Sequence, residues 1–405
     1  MKYITEPQRE IPVSDECDVL VCGGGIAGIA AALAAARNGA KVILLERQFM
    51  LGGLATLGLV TIYLPLCDGE GTQVSFGIAD ELLRLSISRG IIEDKNPIPW
   101  LNNGTLEEKK KTRFEVQYNP NVFATDAEKL LVESGVEILY GTLAVDTVVE
   151  GKKITSVIIE NKSGRSAINV KSVVDCTGDA DICKLAGAKT AMHGKGNVLA
   201  AWYYRGSDSG VKLKMLGFAD VVDKNGNSTV KSLIPTRFGG VDAKEISEME
   251  ILAHQKALED AMKVREEDGS TVPVVFPTIP QLRMTRRIVG VATPDDTPTH
   301  KFEETSVGLY SDWRKRGPVY ELPFGSLYGD DVKNLITAGR NISVTDALWD
   351  ITRVIPVCAV SGEAAGTAAA MSDDFASLDI KALQKKLSDA GVRLHCPEVG
   401  LENKE

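Results

Sequence analysis

The stretch from Asp18 to Glu46 constrains the fold of this chain more than any other part of the sequence. It begins with an apolar run at 19–22, which has the length of a buried β-strand. Three glycines at the G-x-G-x-x-G spacing follow, and an alanine-rich helical stretch ends at Asn38-Gly39, where glycine can take the left-handed conformation that closes a helix. A second apolar strand at 41–45 precedes Glu46. This order of strand, glycine turn, helix and strand predicts a Rossmann-like domain that binds a dinucleotide.

The residue types in this stretch match what a bound dinucleotide requires. Gly23 suits the tight turn out of the strand, Gly25 lets the backbone approach a pyrophosphate, and Gly28 lets the helix pack against the sheet. The N-terminus of that helix favours the pyrophosphate anion. Glu46 stands where an acid accepts hydrogen bonds from the ribose hydroxyls of adenosine. Glu46 argues against a 2′-phosphate on this nucleotide, although Arg47 beside it leaves room for one.

The composition is that of an ordinary globular protein, with 44% hydrophobic and 25% charged residues among 405. A formal net charge of -9 disfavours general binding to nucleic acids or anionic membranes. No apolar run is long enough to span a bilayer, and the polar first 17 residues lack a signal-peptide core, so we expect a cytoplasmic protein. The seven cysteines include no C-x-x-C pair, which disfavours a metal site or a dithiol redox centre and predicts buried thiols.

A second glycine-rich loop follows the second strand. It contains the Gly52-Gly53 pair, the Ala55-Thr56 pair and Gly58. With this "GG-x-A-T-x-G" loop the chain resembles the FAD-dependent oxidoreductase family of the glutathione-reductase-like fold. A domain that binds only a nicotinamide dinucleotide has no need of the loop. The resemblance implies that the cofactor is FAD and that the loop runs beneath the dinucleotide towards the isoalloxazine ring.

A second segment points the same way. Residues 171–176 form a further apolar run, and a T-G-D turn at 177–179 ends it. This segment resembles the second FAD signature of the same family, which implies that the strand end and the turn touch the cofactor from its opposite side. A structural interpretation is that Asp179 or Asp181 caps a short helix at 182–186. The two interpretations are compatible with one another.

A third segment, nearer the C-terminus, completes the pattern. An apolar strand at 335–338 ends in Gly339-Arg340, and a helix rich in small residues follows at 356–371. In the family that the chain resembles, this helix places its N-terminus near the pyrimidine edge of the flavin, where the positive helix end stabilises negative charge on the reduced ring. Asp346 and Arg353 flank the helix, and we favour cofactor contact over catalysis for both.

The three segments occur in the order that this fold requires, so we predict an α/β protein with a Rossmann-like, glutathione-reductase-like FAD/NAD(P)-binding domain. Alternating apolar and polar residues predict a β-meander within it, with strands at 143–149, 154–161 and 166–170. The predicted division is a discontinuous FAD-binding domain (1–60, 122–190 and 332–371), an inserted α+β substrate or cap domain (61–121 and 191–331) and a C-terminal helical tail (372–405). Other predicted elements are helices at 78–88, 123–134, 243–267 and 377–391, and strands at 135–139 and 200–204.

The resemblance also implies a set of cofactor contacts drawn from these segments. The predicted cofactor-binding residues are Gly23, Gly25, Ile26, Ala27, Gly28, Glu46, Arg47, Gly52, Gly53, Leu54, Ala55, Thr56, Ala144, Thr177, Gly178, Asp179, Asp181, Gly339, Arg340, Asp346, Arg353, Val354, Pro356 and Ala359. No metal ligand is predicted.

Three residues are candidates for catalysis. Cys67 follows the second glycine loop and could act as a thiolate near the ring, although a buried inert thiol is the commoner role. His193 could serve as an acid or a base, and a packing role competes with that interpretation. Arg286 could hold a substrate carboxylate with two hydrogen bonds. Arg287 offers the same chemistry, but adjacent arginines seldom face the same way, so at most one of them is expected to act.

Together these observations predict an FAD-dependent oxidoreductase that transfers a hydride between a small organic substrate and N5 of the flavin. Two alternatives stay open: a flavoprotein with a structural FAD or an RNA-modifying role, and a dehydrogenase that uses only a nicotinamide. The acidic net charge disfavours RNA, and the three flavin-type segments disfavour the nicotinamide. A second G-x-G-x-x-G and a dithiol pair are missing, which departs from the pyridine-nucleotide disulfide reductases. The predicted partner is a small molecule, with no nucleic acid and no membrane, and the sequence names neither the substrate nor an oligomeric state.

Overall fold

The computed structural model describes residues 3–90, 96–217 and 232–404 as a mixed α/β fold built on one large sheet. The strands are β1 Val13–Cys22, β2 Val42–Glu46, β3 Ile62–Tyr63, β4 Val116–Gln117, β5 Glu137–Tyr140, β6 Leu143–Glu150, β7 Lys153–Asn161, β8 Gly164–Asp175, β9 Thr190–Met192, β10 Tyr203–Ser207, β11 Gly210–Lys214, β12 Val272–Val275, β13 Arg286–Ile288, β14 Ser306–Ser311, β15 Val319–Pro323 and β16 Leu335–Thr337. The helices are α1 Ile26–Arg37, α2 Ile78–Ser86, α3 Ile98–Leu101, α4 Leu106–Lys111, α5 Pro120–Glu133, α6 Asp181–Leu185, α7 Ala243–Glu267, α8 Asp346–Thr352, α9 Ile355–Met371 and α10 Ile380–Asp389.

The centre of the large sheet is parallel. Strands β5, β2, β1 and β8 lie side by side, and β16 pairs in parallel with β8. All of β2 and the last four residues of β1 are buried, as expected where helices cover both faces of a parallel sheet. β7 and β6 extend the sheet as an antiparallel meander. These features confirm the predicted α/β fold with a Rossmann-like layer.

β8 is a single strand where the sequence predicted two. The segments predicted at 166–170 and 171–176 join in one strand of 12 residues, because no turn residue separates them. Its first half pairs with β7 in the meander, its last residues pair with β16, and β1 runs alongside both halves. The meander and the nucleotide-binding layer are therefore one continuous sheet.

Small residues bring helices α1 and α9 into close contact. A Cβ atom added at Gly362 would lie 2.4 Å from the carbonyl oxygen of Ala27, and one added at Gly366 would lie 2.1 Å from that of Ala31. Because neither position has room for a side chain, the two helix backbones approach more closely than larger residues would permit. Residues 355–369 of α9 are all buried, so this helix runs through the main hydrophobic core.

The part of the chain between the second and third flavin-type segments forms a separate hydrophobic core. The three-stranded sheet of β11, β10 and β12 encloses it together with α7. α7 begins and ends where the sequence predicted, whereas the strand predicted at 200–204 begins only at Tyr203, because the residues before it form a buried irregular segment. Tyr63 and Phe114, from the other part of the predicted cap domain, pack in the main core. The division of the chain into domains stays a prediction.

Within the described ranges, no single helix is long and apolar enough to cross a membrane, and α8 and α9 meet that test of length and composition only as a pair joined at a 92° bend. In the same part of the chain, no group of three or more His, Cys, Asp and Glu side chains is placed to hold a metal ion. All seven cysteines are buried and free, which confirms the prediction of buried thiols.

Candidate functional site

A cavity opens at the carboxyl ends of the parallel strands β1, β2, β8 and β16, where the three flavin-type segments meet. Ligands of open α/β sheets bind at this edge, so the cavity is the candidate active site. The predicted cofactor-binding residues that line it are Gly23, Gly25, Ile26, Ala27, Glu46, Arg47, Gly52, Gly53, Leu54, Ala55, Ala144, Thr177, Gly178, Asp179, Asp181, Gly339, Arg340, Arg353 and Val354. The predicted residues that lie outside the lining are Gly28, Thr56, Asp346, Pro356 and Ala359.

The three glycines of the first turn have different surroundings. Gly23 has φ +107°, and a Cβ atom added there would lie 2.5 Å from the carbonyl oxygen of Cys176. A Cβ atom added at Gly28 would lie 1.8 Å from the carbonyl oxygen of Gly23, so this residue serves packing and does not face the cavity. Among the residues that the structure describes, a Cβ atom at Gly25 would meet no atom within 4 Å. The space above Gly25 is therefore open to a ligand, as the motif predicts.

Glu46 lines the cavity and also fixes the glycine turn. Its Oε2 accepts a hydrogen bond from the backbone N–H of Gly24 at 2.8 Å, and its Oε1 accepts one from Gln48 N–H at 2.8 Å. An ionised carboxylate has about four acceptor positions, so two remain for the hydroxyl groups of a ribose. Glu46 therefore has a structural role that its position in the sequence did not reveal.

The second glycine loop packs directly on the first. The backbone N–H of Gly52 donates to the carbonyl oxygen of Gly24 at 2.8 Å, and Gly52 pairs with Gly25 in an isolated parallel bridge. The hydroxyl of Thr56 donates to the carbonyl oxygen of Leu51 at 2.6 Å and is buried away from the cavity. Thr56 was predicted to contact the cofactor, but the structure places it beneath the loop, where it holds the loop in shape.

Asp175, the last residue of β8, organises the second segment. Its Oδ1 accepts hydrogen bonds from the backbone N–H and the hydroxyl of Thr177, at 3.1 and 2.7 Å, and its Oδ2 accepts one from Cys183 N–H at 3.0 Å. The prediction that Asp179 or Asp181 caps the following helix is wrong, because the N-cap residue of α6 is Ala180 and no side chain caps it there. The sequence signal for Asp175 was an acid ending a buried strand, just before the T-G-D turn.

Asp181 lies in the cavity wall among other acids. Burial raises the pKa of its carboxyl group to about 6, and the charges of Asp179 and Asp175 add to the effect. The guanidinium group of Arg286 opposes that rise, since its Nη2 donates to Asp181 Oδ1 at 2.6 Å and its Nε donates to the carbonyl oxygen of Asp179 at 2.9 Å. Arg286 was predicted to hold a substrate, but the structure places it outside the cavity lining, where it secures the T-G-D turn.

The other two catalytic candidates also lie outside the cavity lining. Cys67 is fully buried, and its Sγ accepts a hydrogen bond from Phe114 N–H at 3.2 Å. Burial raises the pKa of this thiol, so it is a poor source of thiolate. The ring of His193 packs edge-on against that of Trp349, and its Nδ1 lies 3.5 Å from Oδ2 of Asp346. The structure thus pairs His193 with Asp346 away from the cavity and brings neither Cys67 nor His193 to it.

Three other cysteines do line the cavity: Cys22, Cys176 and Cys358. Burial raises the pKa of each thiol, to about 12 for Cys358 even though Arg340 and Arg353 lie nearby. These thiols are therefore protonated at neutral pH and contribute apolar wall to the cavity, not a nucleophile.

The bend between α8 and α9 brings the N-terminus of α9 to the cavity. Val354 is the N-cap residue and provides no side-chain cap, and it lines the cavity with Ile355. Arg353 lies just before them, and its Nε donates to Oδ1 of Asp350 at 2.9 Å. The predicted contacts Pro356 and Ala359 are buried on other faces of the helix.

The cavity has a further wall that the sequence analysis missed. It comes from the segments after the second glycine loop and from the region of the second core, and its members are Val60, Ile62, Leu64, Trp202, Ile279, Pro280, Leu282, Arg283 and Trp313. No local motif marks these residues, because tertiary contacts bring them here. Thr278 N–H, for example, donates to the carbonyl oxygen of Leu57 at 3.0 Å, which holds segment 279–283 against the loop.

The backbone around the cavity fits a dinucleotide. Gly25 and Val354, the N-cap residues of α1 and α9, both lack a side-chain cap, so the first-turn N–H groups of two helices are left for a ligand. The open space above Gly25 suits a pyrophosphate at the first of these helix ends. Glu46 keeps acceptor positions for ribose hydroxyls at the end of β2. FAD contains both of these groups.

Comparison with known proteins places the chain in a family that uses FAD. The family model for FAD dependent oxidoreductases matches residues 18–200 and 299–387, about two thirds of the chain. Thioredoxin reductase of Ureaplasma parvum serovar 3 is 35% identical over 71 residues, covering 18% of this chain and 23% of that protein. Thiamine thiazole synthase of Methanococcus vannielii is 29% identical over 183 residues, covering 41% of this chain and 58% of that protein. The chain thus spans less than two thirds of either relative.

Two solved structures are similar to the chain at low sequence identity. A geranylgeranyl bacteriochlorophyll reductase-like protein from Thermoplasma acidophilum is 16% identical, covers 93% of this chain and 83% of that chain, and has a TM-score of 0.48. A triple mutant of the flavin-dependent brominase Bmp2 is 15% identical, covers 92% and 84%, and has a TM-score of 0.49.

Proposed function

The chain belongs to the FAD dependent oxidoreductase family, and from that premise we propose that it transfers a hydride between a small organic substrate and N5 of the bound flavin. FAD is the cofactor, and when bound it supplies the hydride chemistry. The observation that carries the proposal is that one cavity joins the three flavin-type segments to a wall of apolar and cationic side chains from outside them. That second wall gives a substrate a place beside the cofactor.

The first wall of the cavity, formed by the three flavin-type segments, would bind and orient the cofactor. Gly25 and the N-terminus of α1 would take the pyrophosphate, and Glu46 would take the ribose hydroxyls. Arg340 adds positive charge to this wall and is itself fixed, since its Nη1 lies 3.5 Å from Asp179 Oδ1 and donates to the carbonyl oxygen of Leu282 at 3.2 Å. These contacts would hold the cofactor in a defined register against the sheet edge.

The N-terminus of α9 provides the electrostatic contribution. Its free N–H groups at Val354 and Ile355 direct positive partial charge into the cavity, which stabilises negative charge that develops there. The apolar side chains of Ile279, Leu282 and Trp313 limit the access of water on the opposite wall. Excluding water strengthens these electrostatic interactions and protects a hydride in transfer.

The proposal predicts which reaction the FAD-loaded protein performs. Under anaerobic conditions, we expect one chemical class within a library of small alcohols, amines and organic acids to bleach the flavin absorbance, with one product molecule formed per flavin. A substrate deuterated at the oxidised carbon should slow the bleaching, because a C–H bond breaks in the step. The control is free FAD with the same library. A loaded protein that no library member reduces, and that passes no hydride to any acceptor once chemically reduced, would contradict the proposal.

A further inference from the structure

Four arginines line the cavity, of which Arg47 is exposed. Among the residues that the structure describes, Arg283 is the one of the other three that lacks an acidic partner. Arg340 lies 3.5 Å from Asp179 and Arg353 pairs with Asp350. Arg283 is 5% exposed. In the ranges that the structure describes, no carboxylate or carbonyl group accepts a hydrogen bond from its guanidinium group. Arg283 therefore brings an uncompensated positive charge to the cavity wall.

The surroundings of Arg283 make this charge unfavourable without a ligand. Burial, together with the charges of Arg353 and Arg340, lowers the pKa of its guanidinium group to about 9. Asp350 opposes the effect, but its carboxylate pairs with Arg353. A buried cation without a hydrogen-bond acceptor is destabilising. The fold therefore leaves an acceptor to be supplied from the cavity.

The wall around Arg283 indicates the shape of that acceptor. The guanidinium carbon lies 5.2 Å from the ring centroid of Trp202, and that of Arg353 lies 5.9 Å from the ring centroid of Trp313. Stacking keeps the planar guanidinium in one orientation, which suits a planar carboxylate. The neighbouring lining residues Ile279 and Leu282 are apolar. One free cation among aromatic and aliphatic side chains fits a single carboxylate on an apolar body.

Arg283 and the space for the pyrophosphate lie on different segments of the cavity lining. The segment of Arg283 is anchored to the loop after the second glycine pair, where Gln281 Nε2 donates to the carbonyl oxygen of Gly58 at 2.6 Å. The open space for the pyrophosphate lies instead above Gly25, at the first turn. The two anion-binding features thus belong to different walls.

We propose that Arg283 binds the carboxylate group of the substrate, and that the substrate of this oxidoreductase is a small organic acid with an apolar body. This inference rests on the proposed function and narrows it to one substrate class. It also reassigns to Arg283 the carboxylate-binding role that the sequence suggested for Arg286.

The test uses the FAD-loaded protein, with benzoate as an anionic probe and benzamide as its neutral analogue. Benzoate should shift the flavin absorbance saturably, and benzamide should not. Arg283→Met keeps an apolar stem of similar length, so we expect it to retain FAD with wild-type affinity. Benzoate binding should weaken at least about tenfold, because a charge-assisted hydrogen bond is lost. Arg283→Lys should bind benzoate with intermediate affinity, since a point charge remains.

Arg287→Met is the matched control. Arg287 also lies over a tryptophan ring, with its guanidinium carbon 5.7 Å from the centroid of Trp349, but it does not line the cavity. Its replacement should leave benzoate binding unchanged. As a second readout, Arg283→Met should melt no lower than the wild type, because it removes a buried charge without an acceptor.

Three results would overturn the proposal. The first is that acetate, benzoate and phenylacetate all leave the flavin absorbance of the wild type unchanged, and the second is that Arg283→Met binds benzoate as the wild type does. The third is that Arg283→Met loses FAD, which would make Arg283 a cofactor ligand. Failure of the proposed function is a different result. In that case benzoate binding would depend on Arg283, yet no organic acid would exchange a hydride with the flavin.

Discussion

Replacing Gly25 with threonine should weaken FAD binding on the order of a hundredfold while leaving the stability of the apoprotein close to that of the wild type. Gly25 has φ -68° and ψ -177°, an extended conformation that any residue adopts. An added Cβ would meet no atom of the described part of the chain within 4 Å. Threonine is about as good an N-cap residue as glycine. Its side chain would instead fill the space meant for the pyrophosphate, and such overpacking costs roughly 1–3 kcal/mol.

Gly28→Ala is the matched control, because it adds a smaller side chain to the same motif with the opposite result. Its Cβ would lie 1.8 Å from the backbone oxygen of Gly23. The helix must move away from the turn, so we expect the free energy of unfolding of the apoprotein to fall by about 3 kcal/mol or more. Titration with FAD and chemical denaturation of both variants test the pair. Equal loss of stability in both, or wild-type FAD affinity in Gly25→Thr, would contradict the assignment of the cavity.

Glu363→Gln should stabilise the protein at alkaline pH. Glu363 is 3% exposed in the middle of α9, and its Oε2 accepts a hydrogen bond from Ile78 N–H at 2.8 Å. Burial raises the pKa of its carboxyl group from 4.5 to about 8, with Glu81 adding to the rise and the Ile78 hydrogen bond and Arg37 opposing it. The folded protein therefore holds a proton that the unfolded chain releases.

The sign of the pH dependence follows from this rise. The contribution of Glu363 is fully present below the pKa of the unfolded chain and is lost as the pH rises through the folded value of about 8. Glutamine keeps an oxygen for the Ile78 hydrogen bond and carries no charge at any pH. We expect the variant to match the wild type near pH 4 and to be more stable at pH 9 by on the order of 3 kcal/mol.

Glu321→Gln is the control for this second prediction. The buried carboxylate of Glu321 accepts hydrogen bonds from Glu303 N–H, Cys396 N–H, Asn403 Nδ2 and the ring of His395. Because its charge is satisfied, glutamine there should lower stability at neutral pH. Denaturant unfolding across the pH range measures both variants. A Glu363→Gln protein that loses stability at pH 9 as the wild type does would show that this carboxyl is not the group that titrates.

The parts of the site that the sequence predicted are those in which a local motif requires a particular backbone. Gly23, Gly25 and Gly28 each have a distinct steric role at fixed spacing, so their roles were readable before the structure was known. At Gly362 and Gly366, where helices α1 and α9 touch, the residue type has a steric reason too, but the structure was needed to identify α1 as the partner. At such positions the residue type itself indicates the steric requirement.

The parts that the sequence did not predict depend on tertiary contacts. Arg283 and Arg286 are three positions apart and chemically identical, yet one lines the cavity and the other holds Asp181 outside it. Cys67 follows the flavin-type loop in sequence, but its pairing with Phe114 N–H turns it into the core. No spacing rule distinguishes these outcomes, because each depends on which distant segment packs alongside.

Titration of the apoprotein with FAD, in parallel with FMN and NAD, tests whether the cavity is an FAD site. The open turn at Gly25 and the acceptor oxygens of Glu46 lie on the same cavity as the N-terminus of α9, so both the adenosine half and the flavin half of one molecule are needed to satisfy them. We expect one FAD to bind per chain at micromolar concentration or below, with FMN and NAD bound far more weakly. A folded apoprotein that takes up no FAD under these conditions, or that prefers FMN or NAD, would contradict the account.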